Sequence, residues 1–247
     1  MAASDAIELA EATQRVTQYG ADLIDLNCGC PVKKIRSKGA GSSLLTDPTK
    51  LYQLISTMKK HTHLPVSIKI RVAGDNKDSF NKDIATVASD AGADFLIVHG
   101  RHWTERYNTP CHYEDIQFFV DQLKIPVIGN GDISCSDSLK KMFATGCAGV
   151  MVSRAGVGQP WLIRKLTAEL NQENFTLPPP QEIGQILMEH VAALITLLNN
   201  EKFSILQARK FSKYYARHLP NKLEFHSAIN ICDNWSDFQA ICLNYFV

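Results

Sequence analysis

Five short polar clusters interrupt the apolar first two thirds of the chain: Asn27-Cys28-Gly29-Cys30-Pro31, Lys69-Ile70-Arg71, His99-Gly100-Arg101, Asn130-Gly131-Asp132 and Ser153-Arg154. Together they supply a thiol, an amine, an imidazole and an amide. A thiol is mostly protonated at neutral pH and can act as an acid. Arg154 offers a fixed charge. Each residue also has a plain alternative: Cys30 as a small buried hydrophobe, Lys69 as a lysine snorkelling from a strand end, His99 as a satisfied core histidine. Five such clusters in succession are harder to explain that way. Metal binding is not expected. Cys28 and Cys30 form C-x-C without a second Cys/His pair at zinc spacing, and His61 and His63 fall at a helix end on the opposite face.

Every cluster ends a run that reads as a strand: LIDLN (23–27), VSIKIRV (66–72), DFLIVHG (94–100), IPVIGNGD (125–132) and AGVMVSRAG (148–156). Helices are predicted between them. One spans 5–19, with Ile7, Ala10, Glu11 and Gln14 at helical spacing and Gly20 as its stop. Another runs from the N-cap Asp47 and Pro48 to about His61. Others cover 81–92, 113–124 and 135–146, with a further one from Pro160. The βα unit thus repeats five times. Near-continuous Val/Ile strands belong to a parallel sheet covered by helices, so the fold class is α/β. In such folds the C-terminal strand ends open onto one face, where binding and catalysis collect. Period-2 alternation also puts Arg71 on the face of Lys69.

The segment LPPPQ (177–181) breaks the rhythm, because consecutive prolines cannot donate hydrogen bonds and favour an extended linker. A boundary is expected at 172/173, followed by three amphipathic helices forming a bundle over 173–247. Residues 203–222 hold Arg209, Lys210, Lys213, Arg217 and Lys222 and no acidic residue. Arg209, Lys213 and Arg217 recur every four positions and would stack on one helical face. With Phe211, Tyr214 and Tyr215 interleaved, this suits RNA; a solvated face over an aromatic core is the alternative. A second basic cluster, Lys33, Lys34, Arg36 and Lys38, follows Cys30 directly.

Composition narrows the class further. Lys+Arg 26 against Asp+Glu 25 leaves a net charge of +1, with 45% hydrophobic residues, so disorder and a uniformly basic coat are both excluded. No apolar run approaches ~18 residues, so no membrane span is expected. The start lacks the basic and apolar regions of a signal peptide. Seven scattered cysteines suit a reducing, cytoplasmic setting.

In order, NCGCP, SIKIR, VHGR, IGNGD and MVSRAGVGQPW resemble the tRNA-dihydrouridine synthases, most closely the bacterial B-type, over nearly the whole chain. The resemblance implies an FMN-bearing TIM barrel followed by a helical domain that grips tRNA. NADPH (or NADH) would reduce the flavin, which would then reduce the C5–C6 bond of selected uridines. On this resemblance Cys30 is the proton donor across the base from the flavin. Asn27 and Lys69 orient the uracil and hold the flavin ring, and His99 lies near both. Arg71 lines the same pocket by its strand face. Asn130, Gly131, Asp132, Ser153 and Arg154 match phosphate-binding positions. Lys33, Lys34 and Arg36, with Arg209, Lys213 and Arg217 in the tail, take the RNA backbone. Cys28 stands where related sequences commonly have Met and is read as packing. Ser153 stands where the family usually has Gly; its added Cβ narrows the tolerated dihedrals.

Eight strands close such a barrel, and five are legible. If the phosphate loops follow strands seven and eight, the first 172 residues are the barrel portion from strand four to strand eight. The Pro-Met and Gln flavin contacts of strands one and three then have no counterpart, and weak FMN binding is expected of the chain alone. A monomer is expected. Two other readings stay open. One is a flavin barrel resembling the dihydroorotate dehydrogenases, which act on the same pyrimidine bond but on a small free substrate. The other is a non-catalytic RNA-binding remnant that keeps the tail.

Overall fold

Each of the five apolar runs becomes a strand in the computed structural model, which describes residues 1–73 and 77–247. They are β1 (Ile24–Asn27), β2 (Val66–Arg71), β3 (Phe95–His99), β4 (Val127–Asn130) and β5 (Gly149–Met151). All pair in parallel, in the order β1-β2-β3-β4-β5. This unbroken order is that of a TIM-barrel wall; a doubly wound sheet reverses its order part-way. Six helices accompany the strands: α1 (Ala6–Gln18), α2 (Lys33–Arg36), α3 (Pro48–His61), α4 (Lys77–Asp90), α5 (Tyr113–Gln122) and α6 (Ser136–Phe143). The Asp47 carboxylate accepts the Lys50 N–H at 3.0 Å, so α3 starts where Asp-Pro signals it. Helix α4 begins ahead of the expected residue 81. Asn81, the first residue of the expected helix, is instead buried inside it, where its Oδ1 accepts the Ala73 N–H at 3.0 Å.

Register divides the sheet into two unlike faces. Leu26, Ile68, Leu96 and Val127 are paired across four strands and all buried. Helices α3, α5 and α6 lie against these strands and keep that face dry. The alternate residues form the other face, where Ile97 and Ile128 lie mid-strand and the C-terminal end is polar.

The chain divides into two compact units, Met1–Val152 and Ser153–Val247. The second holds a 3-10 turn (Arg154–Gly156), α7 (Leu162–Leu170), α8 (Pro180–Leu198), α9 (Glu201–Tyr215), a second 3-10 turn (Ala216–His218), α10 (Lys222–Ile231) and α11 (Trp235–Tyr245). Residues 153–172 therefore join the tail ahead of the 172/173 boundary read from the prolines. The reason is Trp161, which packs into the tail core with Leu187, Val191, Ile205, Phe225 and Phe238. After α7 the expected three helices are four. Cys232 leaves the helical region (ψ 130°), and the Asn234 side chain caps α11 by accepting the Asp237 N–H at 2.9 Å.

Gly158 closes this unit against the end of α9. Its φ is +71°, and a Cβ there would lie 2.5 Å from the Tyr214 carbonyl carbon and 2.6 Å from the Tyr215 nitrogen. Left-handed strain and overpacking against backbone add, so Gly158→Ala is expected to destabilise the tail by about 2–4 kcal/mol. Urea unfolding followed by Trp fluorescence measures this; an unchanged midpoint would refute the close approach.

Candidate active site

The polar face of the sheet gathers the strand-end residues. Asn27 pairs with Lys69, Arg71 with His99, His99 with Asn130, and Asn130 with Met151. Partners in parallel register point to the same side, and residues two apart on one strand do too. Asn27, Lys69, Arg71, His99 and Asn130 thus share one face at the C-terminal end of the sheet. Asp25 lies one layer below, where burial raises its carboxyl above the ordinary range although Ser67 donates to it at 2.7 Å.

The loop after β1 is held by its first residue. Asn27 Oδ1 accepts the N–H of Gly29 at 3.1 Å and of Cys30 at 3.0 Å, curling the chain at once. The Cys28 N–H donates to the Lys69 carbonyl at 2.8 Å, and the Ser42 N–H donates to the Cys30 carbonyl at 3.0 Å. Cys30 is a half-buried free thiol at the rim of the polar face. Cys28 is fully buried, and burial pushes its thiol far up, as packing requires.

Lys69 Nζ donates to Asn130 Oδ1 at 3.0 Å, and Asn130 Nδ2 donates to the Met151 carbonyl at 2.7 Å. This chain of bonds crosses from β2 to β5. Burial, then the Arg71 charge, lowers the Lys69 amine to about 8. Arg71 is buried, donates to the His102 carbonyl at 2.9 Å, and is itself lowered by burial. Burial, then Arg71, Lys69 and Arg101, lowers His99 to about 3, against the opposing Asp132. The site thus holds a neutral imidazole among cations, a setting for an anionic or electron-rich ligand.

Sequence reasoning left Arg101 without a role. Its side chain is 1% exposed and bonds to Asp132 Oδ2 at 2.5 Å. That changes the reading of Asp132: its carboxylate turns inward to Arg101 and to the Cys111 N–H at 3.1 Å. Its carboxylate is thus engaged within the protein. Gly131 has φ +135°, and a Cβ there would lie 2.6 Å from Cys111 Sγ. No other residue fits. A histidine-arginine pair ending a strand was the available signal for Arg101, but it reads equally well as solvent-facing.

Among the basic residues after Cys30, Lys33 and Lys34 are exposed on α2. Arg36 is not an open cation: its guanidinium lies 3.5 Å from the centroid of the Trp103 ring. In the tail unit Ser153 and Arg154 are exposed at the first 3-10 turn; Ser153 has φ −118°, so glycine is not required there. Arg209, Lys210, Lys213, His226, Ile229 and Asn230 line a cavity of about 420 Å³. Arg209 donates twice to the Cys232 carbonyl, at 2.8 and 2.6 Å. The expected three-residue stack fails at Arg217. Helix α9 ends at Tyr215, and Arg217 sits in the following 3-10 turn, donating to the carbonyls of Tyr214 and Val157. Two of the three aromatics belong to the core side: Phe211 stacks on His190 at 4.4 Å, and the buried Tyr215 hydroxyl bonds His190 at 3.0 Å. Tyr214 alone is exposed, with Lys213 Nζ 5.3 Å from its ring.

The family model described as dihydrouridine synthase (Dus) matches residues 1–245. The chain is 35% identical over 248 residues to the tRNA-dihydrouridine synthase B of Pseudomonas aeruginosa, covering 100% of this chain and 74% of that protein. The protein of that name from Escherichia coli is 32% identical over 250 residues, covering 100% of this chain and 77% of that one. Among solved structures, DHODH from Eimeria tenella in complex with ferulenol superposes with a TM-score of 0.53 at 19% identity, over 68% of this chain and 54% of its own. The chain spans about half of that protein, and at this identity the likeness concerns the fold alone. No helix among the described residues is long and apolar enough to cross a membrane.

Proposed function

The chain belongs to the dihydrouridine synthase family, and on that premise we propose that it reduces the C5–C6 bond of uridines in tRNA, with Cys30 giving the proton. One observation carries the reading: register sets Asn27, Lys69, Arg71, His99 and Asn130 on one sheet face, with the Cys30 loop pinned at its rim. FMN is the proposed cofactor, NADPH or NADH the proposed reductant and the cytoplasm the proposed compartment, with the chain acting as a monomer.

The residues present fit a flavin. Lys69 is a partly desolvated cation whose amine donates to a neutral amide, so it can meet an electron-rich ring edge. Gly131 follows β4 at the C-terminal end of the sheet, packed so closely on Cys111 that a Cβ has no room, and the backbone N–H groups of that loop are the proposed phosphate contacts. In the tail unit, Ser153 and Arg154 are proposed to contact phosphate as well. When bound, the flavin supplies the hydride to the uracil ring. The remaining work falls to the chain. Asn27 sets the Cys30 loop so that the thiol proton reaches the carbon opposite the hydride. Lys69 and Asn130 hold the ring edge, and neutral His99 offers one N–H without competing as an acid. Lys33 and Lys34, with Arg209 and Lys213, draw the RNA phosphates, and a flipped uridine enters the pocket.

The test is incubation of the chain with unmodified tRNA, FMN and NADPH, followed by nucleoside mass spectrometry. Dihydrouridine is the expected product. Its absence, with tRNA and flavin both shown to be bound, would overturn the reading.

A further inference from the structure

We propose that Arg101 is a positioning residue that fixes His99 as its Nδ1-protonated tautomer, so that the ring offers a single N–H of fixed identity. The inference starts from the bonds of one buried side chain. Arg101 Nε donates to the Thr109 carbonyl at 2.5 Å, and Nη2 donates to Asp132 Oδ2 at 2.5 Å and to the Tyr107 carbonyl at 3.5 Å. Nη1 lies 3.3 Å from His99 Nε2. A guanidinium has no acceptor and keeps its charge in proteins. The Nη1 contact is therefore attractive only if Nε2 carries a lone pair. A proton on Nε2 would set N–H against N–H beside a cation. The proton of the neutral ring must then sit on Nδ1.

The groups facing His99 also keep a second proton away. Arg71 and Lys69 approach from β2 and Arg101 from the segment after β3, and all three disfavour the imidazolium. Asp132, following β4, favours it but is engaged by Arg101. Asp132 is also tied down independently. The Cys111 N–H donates to it, and its φ of +51° is a left-handed value that a non-glycine residue keeps only where its surroundings over-determine it. Asp132 thus aims Arg101, and Arg101 selects the tautomer. What that N–H serves in catalysis rests on the function proposed above. The tautomer itself does not, and it can be read without flavin or tRNA.

The experiment uses the full chain with ring-15N histidine and long-range 1H–15N correlation, His99 being assigned by its loss in His99→Gln. Wild type is expected to show a protonated Nδ1 and an unprotonated Nε2, unchanged from about pH 8 to about pH 5, a range in which an ordinary histidine titrates. Arg101→Met should bring in the Nε2–H form and move the titration upward. A wild-type ring protonated on Nε2, a midpoint near the ordinary ~6.5, or a His99 signal unaltered in Arg101→Met would each overturn the proposal. Should Arg101→Met fail to fold, the wild-type spectrum still decides. Absence of dihydrouridine formation alongside the expected spectrum would count against the proposed function and leave this assignment standing.

Discussion

Cys30→Ala is expected to lower dihydrouridine formation by about 10²–10⁴-fold, the usual worth of a positioned general acid, while tRNA binding stays at the wild-type level. The geometry makes the substitution clean. The loop is held by bonds from backbone groups and from Asn27, none of which involves the thiol: Gly29 and Cys30 N–H to Asn27 Oδ1, Cys28 N–H to the Lys69 carbonyl, and Ser42 N–H to the Cys30 carbonyl. Removing the sulfur therefore removes the proton and leaves the loop. Cys30→Ser should be nearly as impaired, because a hydroxyl is a much weaker acid in the same place. Cys28→Ala is the contrast. That side chain is fully buried, so its loss is expected to appear as roughly 1–2 kcal/mol of stability. Dihydrouridine counted by nucleoside mass spectrometry, beside a gel-shift measurement of tRNA binding, separates the outcomes. Undiminished dihydrouridine formation in Cys30→Ala would remove the thiol from the mechanism.

The parts of this structure that could be read in the sequence are those with a local cause. Continuous Val/Ile runs gave five strands because a parallel sheet buried on its apolar face tolerates nothing else there. Asp47-Pro48 announced α3 because cap and first-turn proline act within four residues. Parity alone put Lys69 and Arg71 on one face. What stayed hidden has a distant cause. Arg36 meets Trp103 across a long stretch of chain, and Arg101 turns inward because Asp132, beyond α5 and β4, accepts it. Neither fact is marked beside the residue itself. The tail shows a third kind of failure. Residues 222–245 keep helical periodicity through Cys232-Asp233-Asn234, so the break is masked, and only the Asn234 cap reveals it. Likewise no glycine or proline marks the end of α9 before Arg217. A pattern of fours therefore ran on past the helix that was meant to carry it.

Lys69→Met separates what the fold wants from what the site needs. The amine is lowered to about 8 by burial and by Arg71, so the folded state binds fewer protons than the unfolded chain between pH 8 and the ordinary lysine value of 10.5. Stability from this group then rises with pH through that window, and below about pH 8 the full cost of the buried charge is present. Methionine fills the same stem without a charge. The stability difference, variant minus wild type, is therefore expected to be largest near pH 7 and to shrink toward about pH 10, whatever the lost bond to Asn130 costs at every pH. Flavin retention and turnover should move the other way, falling by about 10²–10³-fold, the size of effect found when one preorganised donor is removed from an anion site. Wild-type turnover should also decline on the alkaline side as Lys69 loses its proton near pH 8. Thermal unfolding at several pH values, flavin absorbance after desalting, and a pH–rate profile test the three parts. A variant that keeps flavin and turnover would show that this lysine is held at the strand end for packing, and the charge that the site concentrates there would need another purpose.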